Sequence, residues 1–402
     1  MCAHFGHAIA CVEAERVSTE RPVRVFFPCT GLGSEQRGFE AFTRECAAAL
    51  RSDTRIDLTV FGGSGKLEAS ERSVPSLSRT SFVARSIAAL IGRDPYFIEQ
   101  ATFFAGFLPT LLSNAPDVVY FADVNLGNAC WHLRRLTGKP YRLLYYNGGP
   151  TTMPFTRCDF VQQVSPEHLH SAVARGESSI RQVLLPHGLF IAPQWSPTDV
   201  AERVRIRSGL GVPTTGALVL SVGALNASHK RMDYVIREVA ALSGSRPHVL
   251  LLGAETHETD ALRALAATLL GNDGYTIRTL PRDAVLTAYK AADVFVLASV
   301  IEGFGLAHVE ALAAGLPCIA HDTPTTEYIY GQLARRADLR APGALASLLS
   351  AALAAGADAD AERLRHDRAF RQFSWTSLTP KYVELFQAVA AGRVPDFRNA
   401  ER

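Results

Sequence analysis

The chain lacks a dominant charge, a cysteine pattern and a long hydrophobic run. Its 402 residues carry 41 Lys and Arg against 39 Asp and Glu, a net charge of +2 that disfavours a dedicated nucleic-acid binder. The seven cysteines are scattered without zinc-ligand spacing, so we expect reduced core thiols. The longest uncharged stretch, 100–116, is too short and polar to span a bilayer, and we find no signal-peptide pattern. We therefore expect a soluble cytoplasmic protein.

Two further absences argue against cofactors and metals. Gly31, Gly33 and Gly38 do not have the G-x-G-x-x-G spacing of a dinucleotide fingerprint, and no acidic residue ends the second predicted strand, so a redox cofactor is disfavoured. An Asp-x-Asp pair at a strand end would suggest a metal, but Asp358-Ala-Asp360 lies in an alanine-rich stretch. We expect neither a cofactor nor a metal.

The stretch 298–317 combines the end of a strand, a glycine turn and a helix. Residues 293–298 are a short apolar run, typical of a strand buried on both faces. Gly303 and Gly305 allow a sharp turn, and 306–314 is predicted to be a helix. Free backbone N–H groups and the positive end of a helix dipole would meet at this turn, which therefore suits a phosphate.

Two carboxylates frame this turn, Glu302 within it and Glu310 in the helix. A carboxylate repels a phosphate, so both are better placed for sugar hydroxyls. On spacing alone, an ordinary loop with two solvated glutamates remains the alternative, because one glycine pair is weak evidence.

The detail of the pattern favours a sugar-nucleotide site. Glu302 and Glu310 are separated by seven residues, Gly303-Phe304-Gly305 follows the first, and Glu-Ala-Leu-Ala-Ala-Gly-Leu-Pro starts at the second. This resembles the site of glycosyltransferase family 4, which are retaining enzymes of the two-Rossmann GT-B fold. The resemblance implies that Glu302 holds hydroxyls of the donor sugar, that Glu310 holds the nucleotide ribose, and that the backbone through Leu306 binds the diphosphate.

A second motif follows the predicted strand 217–223. In the resembled family an arginine directly after the glycine, here Gly223, and a lysine six residues later hold the donor diphosphate. Ala224 occupies the first position and Lys230 the second. The resemblance implies one missing cation, which Arg231 or His229 could replace. In isolation, a solvated helix start would explain Lys230 and Arg231 equally well. By resemblance, the backbone around Leu280 would meet the nucleobase.

The N-terminal half carries weaker signals. A strand at 23–28 leads into a loop with Gly31 and Gly33, which resembles the family's glycine loop facing the donor diphosphate; a tight turn without a ligand is the alternative. Asn147 follows the predicted strand 141–146, where many relatives have a histidine near the sugar. The resemblance leaves Asn147 as a neutral hydrogen-bonding substitute in the catalytic site.

The predicted architecture is α/β, with the GT-B arrangement of two Rossmann-like domains across a cleft. We expect a loose tail at 1–22, an acceptor domain at 23–190, a donor domain at 191–375, and a C-terminal helix in 376–402 that crosses back to the N-terminal domain. Ser165-Pro166 predicts a helix start.

The segment 68–114 is rich in aromatic residues and also contains arginines. It carries Phe82, Tyr96, Phe97, Phe103, Phe104 and Phe107, with Arg79, Arg85 and Arg93 nearby. A peripheral membrane-facing surface is conceivable, but a buried or acceptor-lining face is favoured.

The sequence therefore predicts a metal-independent, retaining glycosyltransferase that moves a hexosyl group from a UDP- or GDP-linked sugar to an unidentified acceptor hydroxyl. Three alternatives remain open: a GT-B-fold sugar-nucleotide epimerase, a phosphorylase, or a non-catalytic nucleotide-sugar-binding subunit. Ala224 and Asn147 favour the last of these.

Overall fold

Two parallel β-sheets covered by helices form the two lobes of the molecule. The computed structural model describes residues 21–34, 38–149, 154–395 and 397. Almost all of the predicted N-terminal tail therefore lies outside the described residues, as do Glu35–Arg37 of the first glycine loop. The two lobes confirm the predicted pair of Rossmann-like halves.

The N-terminal lobe is built on a seven-stranded sheet with the order β3-β2-β1-β4-β5-β6-β7. Its strands are β1 (Val23–Cys29), β2 (Ile56–Gly62), β3 (Arg72–Ser73), β4 (Val118–Phe121), β5 (Arg142–Asn147), β6 (Phe160–Gln163) and β7 (Gln182–Leu184). Its helices are α1 (Gly38–Leu50), α2 (Phe82–Ile91), α3 (Pro95–Ser113), α4 (Val124–Thr137) and α5 (Pro166–Ala174), with a 3-10 turn at Ser179–Arg181.

The C-terminal lobe is built on a six-stranded sheet with the order β10-β9-β8-β11-β12-β13. Its strands are β8 (Leu218–Val222), β9 (His248–Leu252), β10 (Tyr275–Arg278), β11 (Val294–Leu297), β12 (Cys318–His321) and β13 (Arg335–Ala337). The helices are α6 (Val200–Leu210), α7 (Met232–Ala240), α8 (Thr259–Leu270), α9 (Arg282–Tyr289), α10 (Leu306–Ala313), α11 (Pro324–Tyr330), α12 (Ala344–Ala355), α13 (Ala359–Phe373) and α14 (Trp375–Ala390).

The local sequence explains where these elements lie. All four residues of β11 are buried, as expected for a central parallel strand covered on both faces. Three helices begin at a polar cap followed by proline, which cannot donate a backbone hydrogen bond and is tolerated in the first turn. The caps are Asp94, Ser165 and Thr323.

The strand orders position the site. In each sheet the chain order reverses at the centre, between β1 and β4 and between β8 and β11. Ligands of open α/β sheets bind beyond the carboxyl ends of the strands at such a switch point. The loops after β4, β5, β8 and β11 all contribute to one cavity between the lobes.

Two crossings of the chain join the lobes, and they are tied together. The Leu189 N–H donates to the Phe373 carbonyl at 2.8 Å, and the Trp375 N–H donates to the Leu189 carbonyl at 2.9 Å. Helix α14 then packs on α1, β1, β4 and β5, which confirms the predicted return to the N-terminal lobe. Its Tyr382 hydroxyl donates to the Pro186 carbonyl at 2.9 Å and lies in the same apolar cluster as the N-terminal core.

The five cysteines among the described residues are buried: Cys29, Cys46, Cys130, Cys158 and Cys318. No single helix among the described residues has the length and apolarity to cross a bilayer; the bent pair Ala344–Ala355 and Ala359–Phe373, with axes 118° apart, meets those criteria only when taken together.

Candidate active site

A cavity of about 470 Å³ lies between the two lobes. Its C-terminal wall consists of Lys230 and the run from Glu302 to Leu306. Its N-terminal wall contains Gly38, Phe39, Tyr96, Ala122, Asp123, Tyr145, Tyr146, Gly148, Gly149 and His187. The structure thus places two of the predicted donor contacts, Lys230 and the glycine turn, on one surface facing the other lobe.

The two glycines of the turn are each required for a different steric reason. Gly305 has φ +77° and is the N-cap of α10, a conformation that other residues rarely adopt. A Cβ atom on Gly303 would lie 2.5 Å from the Gly148 carbonyl oxygen, so Gly303 allows the two lobes to approach each other. No side chain of the described residues caps α10, which leaves the positive end of its dipole toward the cavity.

Lys230 and Glu302 form an ion pair although 72 residues separate them in the chain. Burial is the largest single influence on the pKa of Glu302 and would raise it. However, the Lys230 ammonium, with smaller contributions from Ser299 and His308, holds that pKa below its ordinary value. The carboxylate is therefore ionised at neutral pH. The methylene groups of Lys230 pass over Gly223, whose absent Cβ would lie 3.0 Å from them.

The loop before α7 is fixed to the glycine turn. The Asn226 Oδ1 atom accepts the Lys230 N–H at 2.7 Å and the His229 N–H at 3.2 Å. The His229 Nε2 atom lies 3.0 Å from the Ile301 carbonyl oxygen. These bonds hold Lys230 in register with Glu302.

Arg231 is placed away from the cavity. It has φ +51°, and its guanidinium donates to the Leu339 carbonyl at 2.7 Å and lies 4.3 Å from the centre of the Tyr234 ring. These contacts explain Arg231 as a support for the start of α7. They give it no position from which to replace the cation missing at Ala224.

Glu310 is buried in a charged network that connects both lobes. Its Oε2 atom accepts the Tyr289 hydroxyl at 2.8 Å, and its Oε1 atom lies 2.9 Å from Arg282 Nη1, an ion pair outside hydrogen-bond geometry. The Nη2 atom of Arg282 also reaches Glu45 of α1 at 3.2 Å. Burial raises the pKa of Glu45 despite this partner. Arg282 therefore links Glu310 to the N-terminal lobe.

Leu280 lies two residues before Arg282 and packs partly buried against the main apolar cluster. It is outside the cavity wall, so a nucleobase contact at Leu280 stays a prediction.

Aromatic stacking closes the inner end of the cavity. The ring of Phe304 is buried and stacks on His187 of the N-terminal lobe, with centres 5.5 Å apart and planes at 24°. Burial lowers the pKa of His187 to about 3, so the ring is neutral and its Nε2 is hydrogen-bonded to the Tyr146 hydroxyl. The Phe304 side chain thus packs between the lobes.

A buried carboxylate lines the opposite wall. Asp123, at the start of α4, accepts the Thr30 N–H at 3.1 Å and the Tyr96 hydroxyl. Next to it, Arg79 is paired with buried Glu99, and its guanidinium lies 3.8 Å from the centre of the Tyr96 ring. Tyr96 and Asp123 therefore present a fixed polar surface to the cavity.

Asn147 is placed outside the cavity wall, so the catalytic role predicted for it stays a prediction. Its side-chain amide donates to Gln163 Oε1 at 2.7 Å, and Gln163 donates to Gln182 Oε1 at 2.8 Å. This ladder of buried amides crosses β5, β6 and β7. The neighbours of Asn147 in the chain, Tyr146 and Gly148, are the residues that reach the cavity.

Gly31 and Gly33 are also outside the cavity wall. Gly33 has φ +82°, and a Cβ atom there would lie 2.4 Å from the Lys66 carbonyl oxygen, so a tight turn against a neighbouring loop accounts for it. Gly38 and Phe39, which follow the undescribed residues of this loop, line the cavity instead.

The C-terminal lobe is similar to a known protein family. A model of the family "Glycosyl transferases group 1" matches residues 202–337, which include Lys230, Glu302 and Glu310. This region is a glycosyl transferases group 1 domain. It holds the whole C-terminal wall of the cavity.

Curated relatives of the group 1 domain share limited lengths with this chain. The GDP-mannose:cellobiosyl-diphosphopolyprenol alpha-mannosyltransferase of Komagataeibacter xylinus is 33% identical over 192 residues, 46% of this chain and 48% of that protein. A D-inositol 3-phosphate glycosyltransferase of Mycolicibacterium smegmatis is 36% identical over 126 residues, 30% of this chain and 28% of that protein. The chain thus spans about half or less of the length of these curated relatives.

Solved structures extend the likeness to both lobes. The sucrose-phosphate synthase of Thermosynechococcus elongatus has a TM-score of 0.73 at 18% identity and covers 92% of this chain and 99% of its own. HepE of Anabaena in complex with UDP and glucose has a TM-score of 0.69 at 14% identity and covers 91% of this chain and 99% of its own. At these identities the likeness shows the fold, and the predicted GT-B fold is confirmed.

Sequence reasoning missed three groups around the site: Arg282, Asp123 and His187. Arg282 stands at an ordinary helix start with no motif around it. Asp123 had a detectable signal, since it directly follows the apolar run 118–122 at the carboxyl end of β4. His187 lies three residues after β7, in a segment for which no role was predicted.

Proposed function

We propose that this chain is a retaining glycosyltransferase of family 4 that moves a hexosyl group from a nucleotide-diphosphate sugar to an acceptor hydroxyl. The pairing of Lys230 with Glu302 beside the uncapped start of α10, facing the other lobe, is the observation that supports it most directly. One relative named above is a GDP-mannose-dependent transferase by name, and a similar structure holds UDP, so both nucleotides are candidates. Five buried thiols support a cytoplasmic location.

The donor wall would stabilise the leaving group. Departure of a nucleoside diphosphate concentrates negative charge on the phosphate oxygens, and preorganised positive groups lower the energy of that state. Lys230, the backbone N–H groups from Gly303 to Leu306 and the α10 dipole carry this task. Because these groups supply positive charge themselves, we propose that transfer needs no metal.

Glu302 and Glu310 would hold the two sugars of the donor. The fixed carboxylate of Glu302 lies beside Lys230. There it can accept hydrogen bonds from hydroxyls of the transferred hexose while the ammonium binds the diphosphate. Glu310 lies further along α10 and would accept hydrogen bonds from the ribose hydroxyls. For this, the ion pair between Glu310 and Arg282 must weaken or be shared with the ribose.

Retention is assigned to attack from the face on which the diphosphate leaves. In this mechanism the acceptor oxygen bonds to the anomeric carbon as the bond to the diphosphate breaks, and the departing phosphate takes the acceptor proton. Glu302 is not a covalent nucleophile in this scheme, because its carboxylate is paired with Lys230. Tyr96 and Asp123, on the other wall, would orient the acceptor.

Calorimetric titration with UDP-, GDP- and ADP-linked hexoses, followed by transfer assays with sugar and lipid-linked acceptors, tests this function. We expect one nucleotide class to bind and transfer to need an acceptor. Donor conversion without any acceptor would favour the epimerase, and binding without turnover would favour a silent subunit. The relatives named above are transferases, so they give neither alternative support.

Glu310→Ala provides the residue-level test. We expect at least a roughly tenfold loss of transfer, or about 1.4 kcal/mol of transition-state binding. Glu202→Ala is the matched control, because Glu202 pairs with Lys290 away from the cavity. Wild-type transfer by the Glu310 variant would refute the ribose assignment.

A further inference from the structure

Helix α2 buries its small side chains and exposes its large apolar ones, the reverse of an ordinary surface helix. Ala84 and Ala88 are its buried residues, packed against Ile98 in a small cluster apart from the main cores. The large apolar residues face outward instead, with Phe82 84% and Leu90 86% exposed. A helix that packed for stability would bury these residues.

The large apolar side chains of α2 lie on one outer half of the helix, which also carries Ser86. Besides Phe82 and Leu90, this outer face includes Val83, Ile87 and Ile91. At 3.6 residues per turn, these five positions spread over about half of the helix circumference. Of the buried or acceptor-lining face favoured for this segment, Phe103 and Phe107 of α3 are buried, whereas Phe82 is exposed.

The ends of α2 are well defined, so the outer face belongs to a formed helix. The Ser81 Oγ atom accepts the Ala84 N–H at 3.2 Å, and Gly92 caps the other end with φ +62°. The ten residues span about 15 Å, which is too short to cross a bilayer but long enough to lie within its surface.

The charged residues within α2 and in the segment just before it are all basic, and the first acidic residue after the helix is Asp94, the N-cap of α3. Arg85 and Arg93 are exposed within and just after α2, and no acidic residue occurs between Glu71 and Asp94. An apolar helix face flanked by cations complements a surface that is apolar inside and anionic outside. A symmetric contact with a second copy would instead bring these arginines toward their own counterparts.

We propose that α2 is a docking surface for anionic lipid bilayers, with its outer face inserted among the acyl chains and Arg85 and Arg93 at the headgroups. The inference goes beyond the proposed function, since binding of lipid requires neither donor nor acceptor. The Arg79 guanidinium, just before α2, lies over Tyr96 of the cavity wall. A docked molecule would therefore hold the acceptor side of its cavity close to the lipid surface.

Vesicle flotation of the full chain tests the proposal. We expect binding to phosphatidylcholine vesicles with roughly one third phosphatidylglycerol at least roughly tenfold stronger than to pure phosphatidylcholine. Leu90→Asp should weaken binding by at least roughly tenfold, because it removes an inserted apolar group and adds a repelled charge. Arg85→Gln should weaken binding to the anionic vesicles by about fivefold and leave the weak binding to phosphatidylcholine unchanged.

Leu136→Asp is the matched control, because Leu136 is 85% exposed on α4 and the substitution is identical. It should change binding by less than about twofold. Phe82→Ser is the second α2 variant, and equal thermal unfolding of all variants shows that none is misfolded. Hydrogen exchange of residues 82–91 should slow on anionic vesicles.

Three results would overturn the proposal. One is that the wild-type protein does not float with anionic vesicles even at low salt. Another is a loss with Leu136→Asp equal to that with Leu90→Asp. The third is a dimer in sedimentation velocity that Leu90→Asp dissociates while no vesicle binding occurs, which would assign the face to a second copy of the chain.

Discussion

The two walls of the cleft are built on different physical principles. The C-terminal wall is charged, with Lys230 paired to Glu302, and the buried pair of Glu310 and Arg282 lies behind it. The N-terminal wall relies on rings and hydrogen bonds, with Tyr96 and His187 held in place by buried partners. A charged wall suits the diphosphate that all nucleotide-diphosphate donors share, whereas a wall of fixed rings suits a molecule of one particular shape.

Under the proposed function, the C-terminal lobe would meet the part of the reaction that is common to all donors, and the N-terminal lobe the part that varies with the acceptor. A diphosphate has the same charge whichever sugar it carries, so the wall that meets it can keep one motif. Acceptors differ in shape and polarity, and the wall that meets them has no motif to keep. Substitutions on the two walls should therefore separate donor effects from acceptor effects.

The largest effect should come from Lys230→Met. It removes the cation beside the leaving group and leaves the Glu302 carboxylate buried without its partner. We expect a loss of transfer of at least roughly hundredfold, or about 2.7 kcal/mol, and weaker donor binding in calorimetry. Lys290→Met, which breaks an ion pair with Glu202 outside the cleft, should leave both unchanged. Near-normal transfer by the Lys230 variant would remove the donor wall from the mechanism.

The same variant should have an altered pH dependence of stability. In the wild type the lowered pKa of Glu302 contributes stability that is present above about pH 4.5 and lost as the pH falls through the lowered value. Without Lys230, burial should raise the pKa of Glu302. The loss of folding stability caused by the buried carboxylate should therefore be largest near pH 7 and should shrink as the pH falls toward 5. Thermal unfolding of both proteins at pH 5, 6 and 7 measures this, and a deficit independent of pH would contradict it.

Asp123→Asn should affect the opposite wall. It weakens the charge-assisted bonds from Thr30 and Tyr96, so the acceptor surface loses its fixed geometry. We expect acceptor-dependent kcat/KM to fall by roughly thirtyfold, about 2 kcal/mol, with little change in the Kd of the donor. Asp57→Asn at an exposed position of β2 is the control. Equal losses of donor and acceptor binding would show that the two walls do not act separately.

Gly303→Ala should disturb the place where the walls meet. A Cβ atom 2.5 Å from the Gly148 carbonyl oxygen forces the lobes apart or shifts the turn. We expect about a tenfold loss in kcat. The control is Gly209→Ala in exposed α6, where a Cβ atom meets nothing within 4 Å. Unchanged kcat in the Gly303 variant would mean that close approach of the lobes is not needed for transfer.

Glu45→Gln should have the smallest effect. The pKa of Glu45 is raised because of its burial, so its contribution to stability is present below about pH 4.5 and is lost as the pH rises through the raised value. The neutral variant avoids that loss, and its stability relative to the wild type should improve between pH 4.5 and 7 by no more than about 1 kcal/mol. Urea unfolding at both pH values measures the change. A variant that becomes relatively less stable with rising pH would contradict the sign.

The strands and several helix starts were predictable because local chemistry determines them. The apolar run of β11 and the Ser165-Pro166 cap need no distant partner to be recognised. The nearness of Lys230 and Glu302 was predictable too, since their loops follow β8 and β11, which are neighbours in the sheet. Motif and topology agree on this wall.

The N-terminal wall and α2 could not be predicted in the same way. Asn147 was predicted to lie near the sugar, and its amide bonds to Gln163, a partner that the pattern after β5 does not reveal. The composition of α2 resembles that of a core helix, and only the placement of Ala84 and Ala88 shows that its large side chains face outward. Arg282 meets Glu310 and Glu45 through a tertiary contact between lobes.

Helix α14 makes the N-terminal lobe incomplete without the chain's last segment. Its Tyr382, Leu385 and Phe386 fill the same apolar cluster as β1 and β4, and the exposed segment 193–198 is the stretch between the lobes. A backbone cut in that segment would produce two fragments that each expose a large apolar surface alone. Mixed together, they should restore one molecule by complementation, and neither lobe should be obtainable as a stable independent unit.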